Sequence, residues 1–216
     1  MTQELFSQIS EALLKGEPEE TVALVKQALD GGIEPLEIIN RGLVPGMEIA
    51  GDRFDTGEFF LPDLIISAKC MQDSMEILEP ELVKREQKLE TPGTVVIGTV
   101  WGDIHEIGKS LVATMLSANG FKVHDLGVDV TADRFVEKVK ETEANLVGLS
   151  ALLTTTMVGQ REVIEALEAA GLRKNLKVIV GGAPVTRSWA EEIGADGYAE
   201  DATGAVELAR SLMGVS

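Results

Sequence analysis

The chain has 216 residues, enough for one large domain or two small ones. Hydrophobic residues make up 44%, which supplies a buried core, while aromatics at 4% leave few stacking platforms for single-stranded nucleic acid. Nineteen Lys and Arg against 36 Asp and Glu give a formal net charge of −17, which opposes nucleic acid and anionic membranes as partners. The single cysteine, Cys70, cannot form an internal disulfide. The acidic, amphipathic start is unlike a secretory signal, and no apolar stretch is long enough to span a bilayer. A cytoplasmic location is expected.

The first 90 or so positions read as helices. Leu5, Phe6, Ile9, Leu13 and Leu14 recur at helical spacing, and Gly16 and Pro18 end that element. Glu19 to Leu29 repeats the pattern and Gly31-Gly32 stops it. Pro35 opens a third helix with Leu36, Ile39, Leu43 and Met47. A fourth begins near Pro62 and carries Leu64, Ile65, Ala68, Met71, Met75 and Leu78. Four helices with short connections predict a four-helix bundle. Residues 51–62, GDRFDTGEFFLP, read as a loop that holds three of the six phenylalanines, Phe54, Phe59 and Phe60, followed by Leu61. They either plug the end of the bundle or cover a flat apolar ligand.

Residues 81–93, ELVKREQKLETPG, are charged, end in Pro92-Gly93 and read as a linker. The domains are therefore expected at 1–91, with the linker, and 92–216. Beyond the linker five short apolar runs, at 94–98, 122–127, 145–151, 177–182 and 196–199, alternate with amphipathic stretches at 108–119, 132–143, 155–170, 187–193 and 202–213. This alternation predicts a Rossmann-like (flavodoxin-like) α/β domain with a five-stranded parallel sheet. Ligands in such folds sit at the carboxyl ends of the strands, beside the switch point.

Chemistry concentrates after the first strand. Asp103, His105 and Gly108 form D-x-H-x-x-G between a strand and a helix, which puts His105 on a loop at the ligand edge. An imidazole there can bind a metal through one nitrogen while a carboxylate, here Asp103, orients the other. The motif by itself is weak, because a lone histidine beside an acid is usually a surface or structural residue. The third strand ends in GLSALLTTT, which brings Ser150 to the same edge, followed by Leu152 and Thr154. The fourth ends in VIVGGAP, which puts Gly181 and Gly182 where a side chain would obstruct a ligand.

The order D-x-H-x-x-G, S-x-L, G-G resembles the cobalamin-binding fingerprint of the B12-binding domain family. The upstream PGMEIAGDRFDTGEFFLPDLIISAKCM resembles the helical cap module of cobalamin-dependent methionine synthase and of the small corrinoid proteins of methylamine and related methyltransferase systems. The resemblance covers nearly the whole chain, and each module independently implies the other.

The resemblance implies a cofactor, cobalamin or a related corrinoid, in its methylcobalamin form during turnover. Its benzimidazole leaves the cobalt, its nucleotide tail enters a slot between strands, and His105 becomes the lower metal ligand. Gly181 and Gly182 are expected to line the slot, with Ser150, Leu152 and Thr154 on its other wall, Gly108 near the tail, and Tyr198 a lesser binding candidate. Asp103 and Ser150 are expected to extend from His105 as a proton relay that responds when the cobalt releases its lower ligand. Phe54 and Leu61 match the positions that cover the methyl-bearing face, so the linker near Pro92 must let the domains reorient. Met47, Met71, His124 and Cys70 read as structural.

The implied activity is that of a methyl-carrying subunit. It takes a methyl group from a substrate-specific methyltransferase and delivers it to a second methyltransferase acting on a folate, pterin or thiol, with a reductive activase as a further partner and neither nucleic acid nor membrane involved. The donor stays open among methylated amines, betaines, methanol and methoxyaromatics. The alternatives are a cobalamin-sensing regulatory or binding module, for which no basic helix-turn-helix is visible, a coenzyme-B12 mutase subunit lacking its substrate barrel, and a flavodoxin-like domain with an unrelated ligand.

Overall fold

The structure, a computed structural model, describes residues 2–85 and 91–215. It divides into two compact units, a helical one from the N-terminal part and an α/β one that begins at Thr91.

The helical unit contains α1 (Thr2–Lys15), α2 (Pro18–Asp30), α3 (Pro35–Ile38), a π-helical segment (Ile39–Leu43), α4 (Val44–Asp55) and α5 (Leu61–Lys84). Phe6, Ile9 and Leu13 on α1, Val25 and Ala28 on α2, and Leu64 and Leu78 on α5 are fully or almost fully buried, at the 3.6-residue period that the sequence shows. Close crossing of α1 over the third helical run depends on Gly42 and Gly46, where an added Cβ would come within 3.2 Å of Ile9 and of the Ser10 backbone.

Two boundaries differ from expectation. The third helical run continues through Gly51 to Asp55, so the loop is confined to residues 56–60. Its chain reversal is made by Gly57, at φ +76°, while the amides of Glu58 and Phe59 both return to the Arg53 carbonyl. The fourth helix begins one residue before Pro62 and runs through Pro80 to Lys84, so residues 81–84 are helical and not linker. The reason is apolar spacing: Leu82, buried, sits four residues beyond Leu78 and extends the buried stripe past the proline. Residues 86–90 of the expected linker lie outside the described residues. Among the described residues, no helix is long and apolar enough to cross a membrane.

The α/β unit alternates β1 (Thr94–Thr99), α6 (Ile107–Ala118), β2 (Lys122–Asp125), α7 (Ala132–Thr142), β3 (Leu146–Ser150), α8 (Val158–Ala169), β4 (Lys177–Gly181), α9 (Arg187–Glu192), β5 (Gly197–Tyr198) and α10 (Ala202–Met213). Among the described residues the sheet is five-stranded and parallel, in the order β2-β1-β3-β4-β5. Chain order reverses between β1 and β3, and that switch point opens a crevice at the strands' carboxyl ends.

Side chains alternate across the sheet. Val96, Val147, Leu149, Val178 and Val180 face a core completed by α7, α8 and α9, with Phe135, Val163, Ile164 and Leu167 at its centre. Gly98 admits the Phe135 ring, because a Cβ there would lie 2.7 Å from the ring tip. Replacing Phe135 by alanine removes a fully buried ring from the centre of this core. We expect Phe135→Ala to cost about 3–5 kcal/mol in denaturant unfolding, and Gly98→Ala to destabilise as well.

Candidate functional site

The loop after β1 is held from two sides. Gly102, at φ +81°, donates its amide to Asp129 Oδ1 at 2.7 Å, and Asp129 N donates to the Asp103 carbonyl at 2.9 Å. The Thr99 hydroxyl, fully buried at the end of β1, donates to the His105 carbonyl at 2.9 Å. The histidine backbone is thus fixed before its ring makes any contact.

Asp103 is fully buried, and its carboxylate makes four hydrogen bonds. Oδ1 meets His105 Nδ1 at 2.7 Å and the His105 amide at 3.1 Å; Oδ2 accepts from Leu152 N and from the Thr156 hydroxyl, both at 2.7 Å. Burial alone pushes the carboxyl up. The bonds from Thr156, Leu152 and His105 outweigh it and hold Asp103 well below the usual carboxylate range. With Nδ1 engaged, His105 has Nε2 left for a ligand, and its side chain is 46% exposed.

Ser150 is not among the partners of Asp103. The expected hydroxyl position is taken by Thr156, because the segment after β3 turns back on itself, with the Thr156 amide donating to the Leu153 carbonyl at 3.1 Å and the hydroxyl lying 3.0 Å from that carbonyl.

Beside His105 lies a mostly apolar cavity of about 590 Å³. It sits on the α6 and α10 face of the sheet, against Ile97, Gly148 and Ile179, with Val112, Ala202 and Ala205 opposite. His105, Gly108, Ser150, Leu152, Gly181 and Gly182 line it too. The cavity lies over one face of the sheet, and β3 and β4 stay paired to their last residues, Ser150 and Gly181, so no opening forms between these two strands. Two further positions differ. Thr154 is exposed and does not line the cavity, and Tyr198 packs against the core on the opposite face, because strand alternation turns it that way. Gly182, at φ +125°, has no room for a side chain, since a Cβ would lie 1.8 Å from the Ala151 carbonyl oxygen. Phe54 and Leu61 belong to the helical unit, half-buried at the end of α4 and the start of α5.

The sequence reading missed Thr99, Thr156 and Lys109. Lys109 is buried in the first turn of α6 and forms an ion pair with Asp125 at the end of β2, which ties one wall of the cavity to the sheet. A polar residue closing an otherwise apolar strand was the available signal for Thr99.

Fold and site together define a doubly wound ligand-binding domain that presents an oriented histidine beside an apolar cavity, joined to a helical unit. B12 binding domain models match residues 93–207 and, in a second form, residues 5–79. The chain is 47% identical to dimethylamine corrinoid protein 2 of Methanosarcina acetivorans, over 98% of this chain and 97% of that protein. It is 45% identical to the trimethylamine corrinoid protein of Methanosarcina barkeri, over 99% and 98%. Among solved structures it resembles the methanol:cobalamin methyltransferase complex of Methanosarcina barkeri, with a TM-score of 0.87 and 31% identity over 99% of this chain and 81% of that one. The chain belongs to the family of corrinoid proteins built from B12-binding domains, and its cofactor is a corrinoid. The donor set agrees: an imidazole nitrogen with its opposite nitrogen on a carboxylate suits a transition metal, and the cavity has the apolar walls and size of a small-molecule site.

Because the folded Asp103 carboxyl is held below its unfolded value, its stabilisation is present above the ordinary carboxylate range and fades as pH falls through and below it. We expect Asp103→Asn to destabilise the cofactor-free protein by about 2 kcal/mol at pH 7. That difference shrinks below about pH 4, as urea unfolding at the two pH values will read.

Proposed function

We propose that this chain carries a methyl group between two methyltransferases on a corrinoid held with its benzimidazole displaced and His105 on the cobalt. The carrying observation is the 2.7 Å bond between His105 Nδ1 and the buried Asp103, which leaves Nε2 as the ligand nitrogen at the cavity. The corrinoid supplies a cobalt that accepts a methyl group from one partner and yields it to the next. The protein's own groups set how His105 behaves. Asp103 keeps the proton on Nδ1 and orients the ring; Thr156, in the place expected of Ser150, and Leu152 N hold Asp103 charged. His105 would hold the cobalt through Nε2, with its Nδ1 kept on the buried Asp103 carboxylate.

The cavity on the α6 and α10 face is the proposed site of the nucleotide tail. Gly108, Ser150, Gly181 and Gly182 contribute to its walls, and charged groups at it come from Glu106, Lys109, Glu200 and Asp201. Phe54 and Leu61 are proposed as the cover of the opposite face of the corrin. Support for a methylated amine as donor comes from relatives named for trimethylamine and dimethylamine at 45–47% identity, against 31% for the methanol system. A partner methyltransferase fits the complex found for that methanol system. The acceptor methyltransferase, for a folate, pterin or thiol, and a reductive activase complete the proposed set of partners.

Two experiments test this reading. Mixing the cofactor-free protein with hydroxocobalamin is expected to give the absorbance spectrum of a displaced benzimidazole with histidine on cobalt, and His105→Ala is expected to lose the histidine signature. Uptake with benzimidazole still on the metal, or no uptake, refutes the reading. In a methyl-transfer assay, an amine-specific methyltransferase should methylate the loaded protein at least tenfold faster than a methanol-specific one; the reverse order overturns the donor assignment.

A further inference from the structure

Gln160 is fully buried in α8, and the site described above does not use it. Its Nε2 donates to the Leu149 carbonyl at 3.0 Å and to the Gly181 carbonyl at 3.1 Å, while its Oε1 accepts from the Trp189 indole at 2.9 Å. Carbonyls only accept and an indole only donates, so these partners fix which way the amide faces. Leu149 is the penultimate residue of β3 and Gly181 the last of β4. The amide therefore bridges the two strands where their ladder ends, next to the bond of 3.2 Å from Ala151 N to the Gly181 carbonyl.

The cavity gives this bridge its importance. Gly148 and Gly181 present no side chain to it, so this end of the sheet lacks the packing that normally holds strands in place. Support comes from the packed opposite face, and at the strand ends α8 adds to it a polar link, the Gln160 amide anchored by Trp189. Trp189 is itself held by the Arg161 guanidinium 4.8 Å from its ring centroid. The same strand end continues into Leu152, whose amide bonds Asp103.

We propose that Gln160 is a positioning residue for the cofactor's nucleotide tail, fixing the spacing of the Leu149 and Gly181 carbonyls and so the shape of the wall against which the tail seats. The inference rests on the reading of the cavity as the tail's site. It predicts an effect confined to corrinoids that have a tail.

The test compares binding of hydroxocobalamin with binding of diaquocobinamide, which has the same ring and no nucleotide, by titration followed in absorbance. Gln160→Met keeps length and bulk and removes both donors. It is expected to weaken hydroxocobalamin about tenfold while diaquocobinamide stays within about twofold. An equal loss for both, or none for either, overturns the role. Should Gln160→Met not fold, Trp189→Phe keeps the donors and removes the anchor of Oε1, with an expected selective loss of about threefold; an equal loss again overturns the role. A wild-type chain that binds the two corrinoids equally, or neither, overturns the reading of the cavity itself and with it the role of Gln160, whereas an equal loss in the variant alone overturns only the role.

Discussion

A carboxylate without solvent is expensive unless every lone pair is met, and the ligand edge of this protein is arranged around that requirement. Asp103 draws its donors from two segments that are far apart in sequence: His105 on the loop after β1, and Leu152 and Thr156 on the segment after β3. Those are the two strands flanking the switch point of the sheet. The segments that leave those two strands are thus tied together by one charge. The same four bonds set the orientation of the His105 ring before any ligand arrives, so binding need not order it.

Holding a cavity beside that charge requires a sheet with one well-packed face and one sparse face. The packed face carries Phe135, the valines of β1, β3 and β4, and the side chains of α7 to α9. On the other face Gly148 and Gly181 leave the volume open, a choice that weakens strands locally because glycine adds no packing and loses more chain freedom on folding. Lys109 and Asp125 tie α6 to β2 on the open face, and Gln160 ties β3 to β4 from the packed one. Polar links of this kind have fixed geometry, so they keep a wall in shape where hydrophobic packing is missing.

The periodicity of the chain made the architecture legible. Each β-strand and each helix of the α/β unit begins within three residues of its expected position, because apolar runs and glycine turns mark them directly. The helical unit was less legible at two places, both decided by tertiary burial: Leu82 carries α5 past a proline, and the third helical run absorbs residues that read as a loop. His105, Asp103 and the Gly181-Gly182 pair stood out because few residue types perform their chemistry or fit their space. Thr156 did not. Ser150, Thr154, Thr155 and Thr156 all offer a hydroxyl after β3, and only the turn that folds Thr156 back onto the Leu153 carbonyl selects among them. Tyr198 failed for a simpler reason, since a single residue's shift in a two-residue strand decides which face it takes.

Apolar side chains are exposed at the ligand edge beside this polar network. Ile104 is 74% exposed and Ile107 is 83% exposed, on either side of His105, with Leu152 half-exposed across the crevice. Isoleucines so exposed beside a cavity are poorly placed for a free surface and suited to being covered by an apolar ligand. Covering one of them is worth roughly 1.5–3 kcal/mol when complete. A corrinoid that covered Ile104 and Ile107 would draw on this contribution in addition to any polar contact made through His105 and Asp103.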